Sequence, residues 1–167
     1  MAMQTVTVAA QLDLDLQLWR TINDDVMGGV SRGEIITIDN GLRFRGQVSL
    51  QNNGGFTSAR MSYGGSPISA GQVRLRVKGD GRRYQFRVRL DDRYDGVAWR
   101  AGFDTNESWQ TVTLPFEEFE SVYRGRAVTN AGSLVPEKIR QIGFLLADKK
   151  EGPFQLDFTS IEFPIDE

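Results

Sequence analysis

Apolar and polar side chains alternate along most of this chain. Leu12, Leu14, Leu16 and Leu18 are interleaved with Asp13, Asp15 and Gln17. Val73, Leu75 and Val77 alternate with Arg74, Arg76 and Lys78, and Tyr84, Phe86, Val88 and Leu90 with Arg83, Gln85, Arg87 and Arg89. A period of two places successive side chains on opposite faces of an extended backbone, so each run predicts a strand with one buried face. Further strands are expected over Glu34–Asp39, Leu42–Leu50, Gly55–Met61, Val97–Phe103, Ser108–Leu114, Gln141–Ala147 and Phe154–Phe163. Turns rich in Gly, Asn or Asp separate most of them. Gly79–Gly81 (Gly-Asp-Gly) lies between two alternating runs and predicts a hairpin turn.

Helical signals are scarce. Pro115–Ser121 predicts one or two turns, with Pro near the start and acids in the first turn, and Val135–Arg140 predicts another short turn. Neither is long enough to carry a crossover between parallel strands. The expected fold is therefore all-β: an antiparallel β-sandwich or jelly roll. At 167 residues the chain is long enough for one domain over 1–167, with a core from about Leu12 to Phe163, stabilised without disulfides or metals.

Two absences narrow the chemistry. There is no cysteine, which excludes disulfides, thiolate metal sites and Cys nucleophiles. There is no histidine, which excludes Ser-His-Asp and Cys-His triads and the commonest zinc, copper and iron sites. No cofactor is expected. A hydrolase built on carboxylates alone needs two acids converging in a cleft, and nothing in the linear order places two acids together. The formal charge of −2 gives no argument for nucleic acid. The first residues read neither as a signal nor as a transit peptide, and no apolar run approaches the roughly 20 residues of a membrane helix. A cytoplasmic location is the expectation.

Three segments attract a functional reading. Trp19–Gly33 (WRTINDDVMGGVSRG) combines a large aromatic ring, the adjacent carboxylates Asp24 and Asp25, Met27 and a Gly pair. Asp24 and Asp25 are candidate oxygen ligands for calcium. The alternative is an Asx-rich turn entering a strand, with Trp19 and Met27 in the core. Asn52–Arg60 (NNGGFTSAR) is a strong turn leading into a strand, and its Asn and Ser side chains suit a sugar or a peptide backbone. The third is a basic face. If the strands around Gly79–Gly81 pair as a hairpin, Arg74, Arg76, Lys78, Arg83, Arg87 and Arg89 share one sheet face. Such like charges call for an acidic partner, or for pairing with Asp91, Asp92, Asp95 or Glu117. Tyr84 and Phe86 point the other way, which leaves single-stranded nucleic acid without a stacking platform.

The run Asp-Asp-Val-Met-Gly-Gly-Val-Ser, followed by NNGGFTSAR, resembles the complex I intermediate-associated protein family. Trp109 with Leu114–Phe119 (LPFEEF), Tyr123–Gly125 and Ile139–Phe163 keep that family's order, so the resemblance covers the chain from about Leu12 to Phe163. It implies a galactose-binding-like jelly roll and a non-catalytic assembly factor or chaperone, with a protein partner such as a subunit of a membrane complex by the family's pattern. The signature positions it carries over are Trp19, Asp24, Asp25, Met27, Gly28, Gly29 and Ser31, then Asn53, Gly54, Gly55, Phe56 and Ser58. Without a transit peptide, the chain looks like a stand-alone, bacterial-type member. A small-ligand or carbohydrate-binding module is the alternative on the same fold. It requires an exposed ring among Trp99, Trp109 and Tyr94 in a concave groove.

Overall fold

The computed structural model describes residues 8–24 and 28–164. Among these residues, thirteen strands form two antiparallel sheets packed face to face. The six-stranded sheet holds β1 (Val8–Gln11), β3 (Arg32–Ile38), β4 (Gly41–Val48), β6 (Gln72–Lys78), β9 (Gln110–Pro115) and β13 (Gly152–Pro164). The seven-stranded sheet runs in the order β11 (Arg126–Ala127), β10 (Glu120–Tyr123), β8 (Ala98–Asp104), β7 (Arg83–Arg89), β12 (Gln141–Leu146), β5 (Thr57–Ser62), β2 (Trp19–Asn23). This is the jelly-roll sandwich that the period-two pattern predicts. The two short helical segments fall where expected, as single 3-10 turns at Phe116–Glu118 and Pro136–Lys138. No helix among the described residues is long and apolar enough to cross a membrane.

Alternation in the strands becomes inside and outside in the sandwich. Val73, Leu75 and Val77 of β6 and Tyr84, Phe86 and Val88 of β7 are fully buried between the sheets. Phe144 of β12 lies at the centre of this core. Its ring stands 4.8 Å from Phe158 of the opposite sheet, 5.6 Å from Phe86 and 6.2 Å from both Trp19 and Phe103. The Phe158 contact joins one sheet to the other, and the other three bind Phe144 to rings of its own sheet.

Two expectations are corrected. The leucine run is not a strand: Leu16–Leu18 forms a 3-10 turn capped by the Asp15 side chain, and Leu16 and Leu18 are exposed. Asp15 competes for the backbone N–H of Gln17, which a strand would have needed for pairing. Nor is Gly79–Gly81 a hairpin turn. Strand β6 pairs with β9 and β13, whereas β7 pairs with β8 and β12, so the turn carries the chain from one sheet to the other. Arg82, at the far side of that turn, makes a bidentate pair with Asp148 (2.8 and 2.6 Å) where the chain crosses back after β12. Both side chains are largely buried. Burial opposes ionisation of Asp148, yet the Arg82 guanidinium holds its carboxyl below the usual range. Asp80 completes this end by accepting from the Tyr84 hydroxyl (3.0 Å) and from the Gln155 N–H (2.8 Å).

Phe144→Ala is expected to cost about 3–5 kcal/mol in urea unfolding, since the ring has core contacts on both sheets. Leu16→Ala should stay within about 0.5 kcal/mol. Equal effects would mean that Phe144 does not hold the sheets together.

Candidate functional site

The two signature segments meet around one carboxylate. Asp24 is 0 % exposed at the end of β2. Its Oδ1 accepts from the Ser31 N–H (2.8 Å). Its Oδ2 accepts from the Ser31 hydroxyl (2.5 Å) and from the N–H groups of Gly55 (2.7 Å) and Phe56 (3.2 Å). The Asp24 carbonyl also accepts from the Gly29 N–H (2.8 Å). Both glycine pairs are needed for this close wrapping: a Cβ at Gly29 would stand 2.4 Å from Asp24 Cγ, and one at Gly54 would stand 2.6 Å from Asp24 Oδ2. Burial pushes the Asp24 carboxyl up, but the hydrogen bonds from Gly55, Ser31 and Phe56 outweigh it and hold the group below its ordinary value.

This geometry corrects the calcium reading of Asp24. Its oxygens face inward and are already engaged by three N–H groups and a hydroxyl. Asp25 and Met27 lie outside the described residues. Trp19 faces the core, beside Phe158 at 5.2 Å. Gly28 turns in the exposed loop, Asn53 ends a 3-10 turn (Gln51–Asn53), and the Ser58 hydroxyl donates to the Ile22 carbonyl at 2.7 Å. The signature residues that the structure describes thus include a tightly bonded knot joining the β2–β3 connection to the entry of β5.

The six-cation face is corrected as well. Because β6 and β7 belong to different sheets, Arg74, Arg76 and Lys78 lie on the outside of one sheet and Arg83, Arg87 and Arg89 on the outside of the other. Arg74 pairs with Glu162 (2.9 Å), Arg76 donates to the Thr111 hydroxyl (3.3 Å), and Lys78 sits opposite Asp157. Arg83 pairs with Asp104 (3.0 Å).

Arg87 and Arg89 belong instead to a different cluster, assembled by strand register. Arg20 of β2 is opposite Arg60 of β5, and Arg60 is opposite Gly143 of β12. Gly143 is opposite Arg87 of β7, which is opposite Arg100 of β8. Directly opposed residues share a sheet face, so four arginines form one row across the outside of the seven-stranded sheet, with a gap at Gly143. That gap is enforced, because a Cβ at Gly143 would stand 2.2 Å from the Ala59 carbonyl oxygen. Arg89 lies beside the row, and the trough over Arg60, Gly143 and Arg87 is a shallow depression open to solvent, with a cavity volume of only ≈ 20 Å³.

The β7–β8 connection adjoins the trough through three of its lining side chains. Arg60 Nη1 donates to the Tyr94 carbonyl (2.9 Å), Arg89 Nη1 to the Gly96 carbonyl (2.6 Å), and Gln141 Nε2 to the Asp91 and Arg93 carbonyls (2.8 and 2.9 Å). Within the row, Arg100 has a carboxylate partner, Glu120 at 3.4 Å. Among the described residues, no ion pair answers Arg20, Arg60, Arg87 or Arg89. Burial first, then Arg89, Arg100 and Arg60, push the pKa of Arg87 down to about 9. Burial first, then Arg89 and Arg20, push that of Arg60 down to about 10. Both stay cationic at neutral pH, so their mutual repulsion persists.

Sequence reasoning did not single out Arg20, Arg60, Arg100, Gly143 or Gln141. Arg60 and Arg100 occupy polar positions within expected strands, but only the insertion of β12 between β5 and β7 brings them together. The expected sugar-binding rings are scattered. Trp99 turns inward at 7 % exposure, and Trp109 precedes β9 of the other sheet. Tyr94 is 52 % exposed at the trough's rim, where the Arg60 guanidinium lies over its ring at 5.8 Å. A wider hollow at the sandwich edge, beside Trp99 and Phe119, has Glu117 as its one charged lining residue.

Comparisons with known proteins agree with this architecture. Residues 8–158 match the family model of Complex I intermediate-associated protein 30. The mouse (Mus musculus) mitochondrial Complex I intermediate-associated protein 30 is 34% identical over 112 residues, which is 61% of this chain and 33% of that protein. The Drosophila melanogaster counterpart is 29% identical over 101 residues, 53% of this chain and 33% of that protein. The matched region is thus about a third of the length of these relatives. Among solved structures, a family 11 carbohydrate-binding module from Clostridium thermocellum, in complex with a mixed-linked tetrasaccharide, superposes with a TM-score of 0.69 at 18% identity. That match covers 98% of this chain and 99% of the other. A family 30 carbohydrate-binding module gives a TM-score of 0.52 at 16% identity, covering 98% and 86%. At these identities the likeness establishes the fold alone.

Asp24→Asn is expected to destabilise the protein by at least about 2 kcal/mol at neutral pH, because the new amide places donors against donors. The folded pKa of Asp24 lies below its ordinary 3.8, so its stabilisation is complete above that value and is lost as pH falls through the folded pKa. Urea unfolding of both proteins across the acid range checks this. The gap between them should be widest near neutrality and shrink below about pH 4; a pH-independent gap would contradict the role assigned to the carboxylate.

Proposed function

The chain belongs to the Complex I intermediate-associated protein 30 family, and on that premise we propose that it is a non-catalytic binding module of the assembly-factor kind, acting by protein–protein recognition. The observation that carries this reading is the arginine row. A rigid sheet face presents a row of cations, of which Arg20, Arg60 and Arg87 have no ion pair among the described residues. An acidic surface on a partner supplies what they lack, steers encounter and fixes orientation. The relatives' names supply the assembly context, and they concern proteins about three times the length of the matched region.

The non-catalytic reading is supported by how the shifted carboxylates behave. Asp24 and Asp148 are both held below the ordinary carboxylate range, away from that of a proton donor. Carbohydrate recognition, the second reading, has one ring beside the trough, Tyr94, and the Arg60 guanidinium takes one of its faces. The protein reading therefore stands ahead.

Tagged protein incubated with membranes and soluble extract of the source cell should retain a specific protein partner at low salt and release it as salt rises past the physiological range. Charge reversal at Arg20 should weaken that retention several-fold. If no partner is retained at low salt, the assembly reading fails.

A further inference from the structure

We infer that the trough over Gly143 is a seat for a carboxylate of an extended acidic peptide segment, which lies across the strands from Arg20 to Arg100. This rests on the docking face proposed above and names its occupant. Arg60 and Arg87 flank Gly143 on strands β5 and β7, two strand spacings apart, or about 10 Å. A carboxylate placed over the glycine is within reach of both guanidiniums, each of which is built to grip one by paired N–H groups. Any larger residue at position 143 would meet the Ala59 backbone and fill the gap.

The length of the row argues for a segment and against a single small anion. Arg20 and Arg100 are four strand spacings apart, about 19 Å. An extended peptide spans that distance in about six residues. Its acidic side chains fall near Arg20 and Arg60 at one end, over Gly143 in the middle, and near Arg87 at the other. Arg100, already beside Glu120, needs least.

The chemistry around the trough selects among anionic chains. A saccharide needs a free aromatic face, and the one ring at the rim is occupied by Arg60. Single-stranded nucleic acid needs rings to stack on, and Trp99 turns into the core. What the face does offer is guanidinium groups in a row, which suits carboxylates on a backbone that requires no stacking.

Arg60 and Arg89 also donate to the β7–β8 connection, so a purely structural role has to be distinguished from a binding one. Arg87 allows this. Its Nε donates to the Gln85 amide oxygen (3.0 Å), and the charges acting on it, Arg89, Arg100 and Arg60, are all repulsive. Without a ligand, removing its charge should relieve strain; with a ligand, it should remove an attraction.

The test is fluorescence anisotropy with a labelled hexaglutamate peptide and its hexaglutamine counterpart, on the full chain and on Arg87→Gln, Arg60→Gln and Arg76→Gln, together with thermal melts. Hexaglutamate should bind at least about tenfold more tightly than hexaglutamine, and Arg87→Gln should weaken it by about tenfold or more. Arg76→Gln, on the opposite sheet, should leave it unchanged. Arg87→Gln should also melt no lower than the unmodified protein without peptide, and should lose the stabilisation that hexaglutamate confers. The proposal is overturned if hexaglutamine binds equally well, if Arg76→Gln matches Arg87→Gln, if Arg87→Gln melts lower while peptide binding survives, or if an oligouronate or a single-stranded DNA hexamer binds as tightly as the peptide. Partner retention that is indifferent to Arg60→Gln and Arg87→Gln removes this seat and leaves the assembly reading standing. Peptide binding without any retained partner does the reverse.

Discussion

The pleat of β12 is the constraint on which both the core and the outer face depend. Consecutive residues of a strand point to opposite sides, and β12 sits between β5 and β7 in the middle of its sheet. Phe144 therefore points inward, where it reaches Phe158 of the other sheet, and Gly143 points outward, where it leaves a gap between Arg60 and Arg87. The residue pair that locks the sandwich also fixes the position of the trough. A register slip of one residue would send the phenylalanine to the surface and close the gap in the same step.

The residues that mark the family serve folding more directly than recognition. Asp24, Ser31, Gly29, Gly55 and Phe56 form a connected set of hydrogen bonds, with Gly54 packed against the carboxylate, and the Asp24 charge is turned away from solvent. A buried carboxylate is costly unless each lone pair is answered, and here two loops far apart in the chain supply the answers. The knot ties the β2–β3 crossing to the start of β5, which places β5 against β12 and Arg60 at its position in the row. A motif that carries a family resemblance can thus act at a distance from the proposed docking surface.

The strands were largely legible in the sequence because their alternation is written in large side chains: Tyr84, Phe86 and Val88 inward, with Arg87 and Arg89 outward, is unambiguous. Which strand each one pairs with was not legible. Alternation specifies a face and says nothing about the neighbour, so Gly79–Gly81 read as a hairpin when it is an arch between sheets held by Arg82 and Asp148. Strand β2 was missed because Thr21 and Asn23 lie among inward positions, where the Thr57 hydroxyl bonds the Asn23 side chain at 2.5 Å. The leucine run misled for the opposite reason. Its pattern was strand-like, but the Asp15 side chain capped a turn. The arginine row lay outside any sequence reading, since its members come from four strands that only register brings together.

The pairing habits of this chain separate the row from an ordinary charged surface. Arg43, Arg45, Arg74, Arg82, Arg83, Arg100, Arg124 and Arg140 each have a carboxylate within 3.4 Å. Acids adjoin the trough in sequence but are drawn elsewhere: Asp92 to Arg140, Asp95 to Arg124, and Asp91 to the Arg93 N–H. Asp91 and Asp95 offset part of the burial cost at Arg89 through space, and no acid acts on Arg87 in this way. An exposed cation left alone needs no explanation, because water screens it. A half-buried cation among three others is different: solvent reaches it poorly, and its neighbours raise the cost of its charge. A fold that answers its buried carboxylates at Asp24, Asp148 and Asp157, yet among the described residues gives Arg87 only the neutral Gln85 amide, carries that cost where a partner's charge can relieve it.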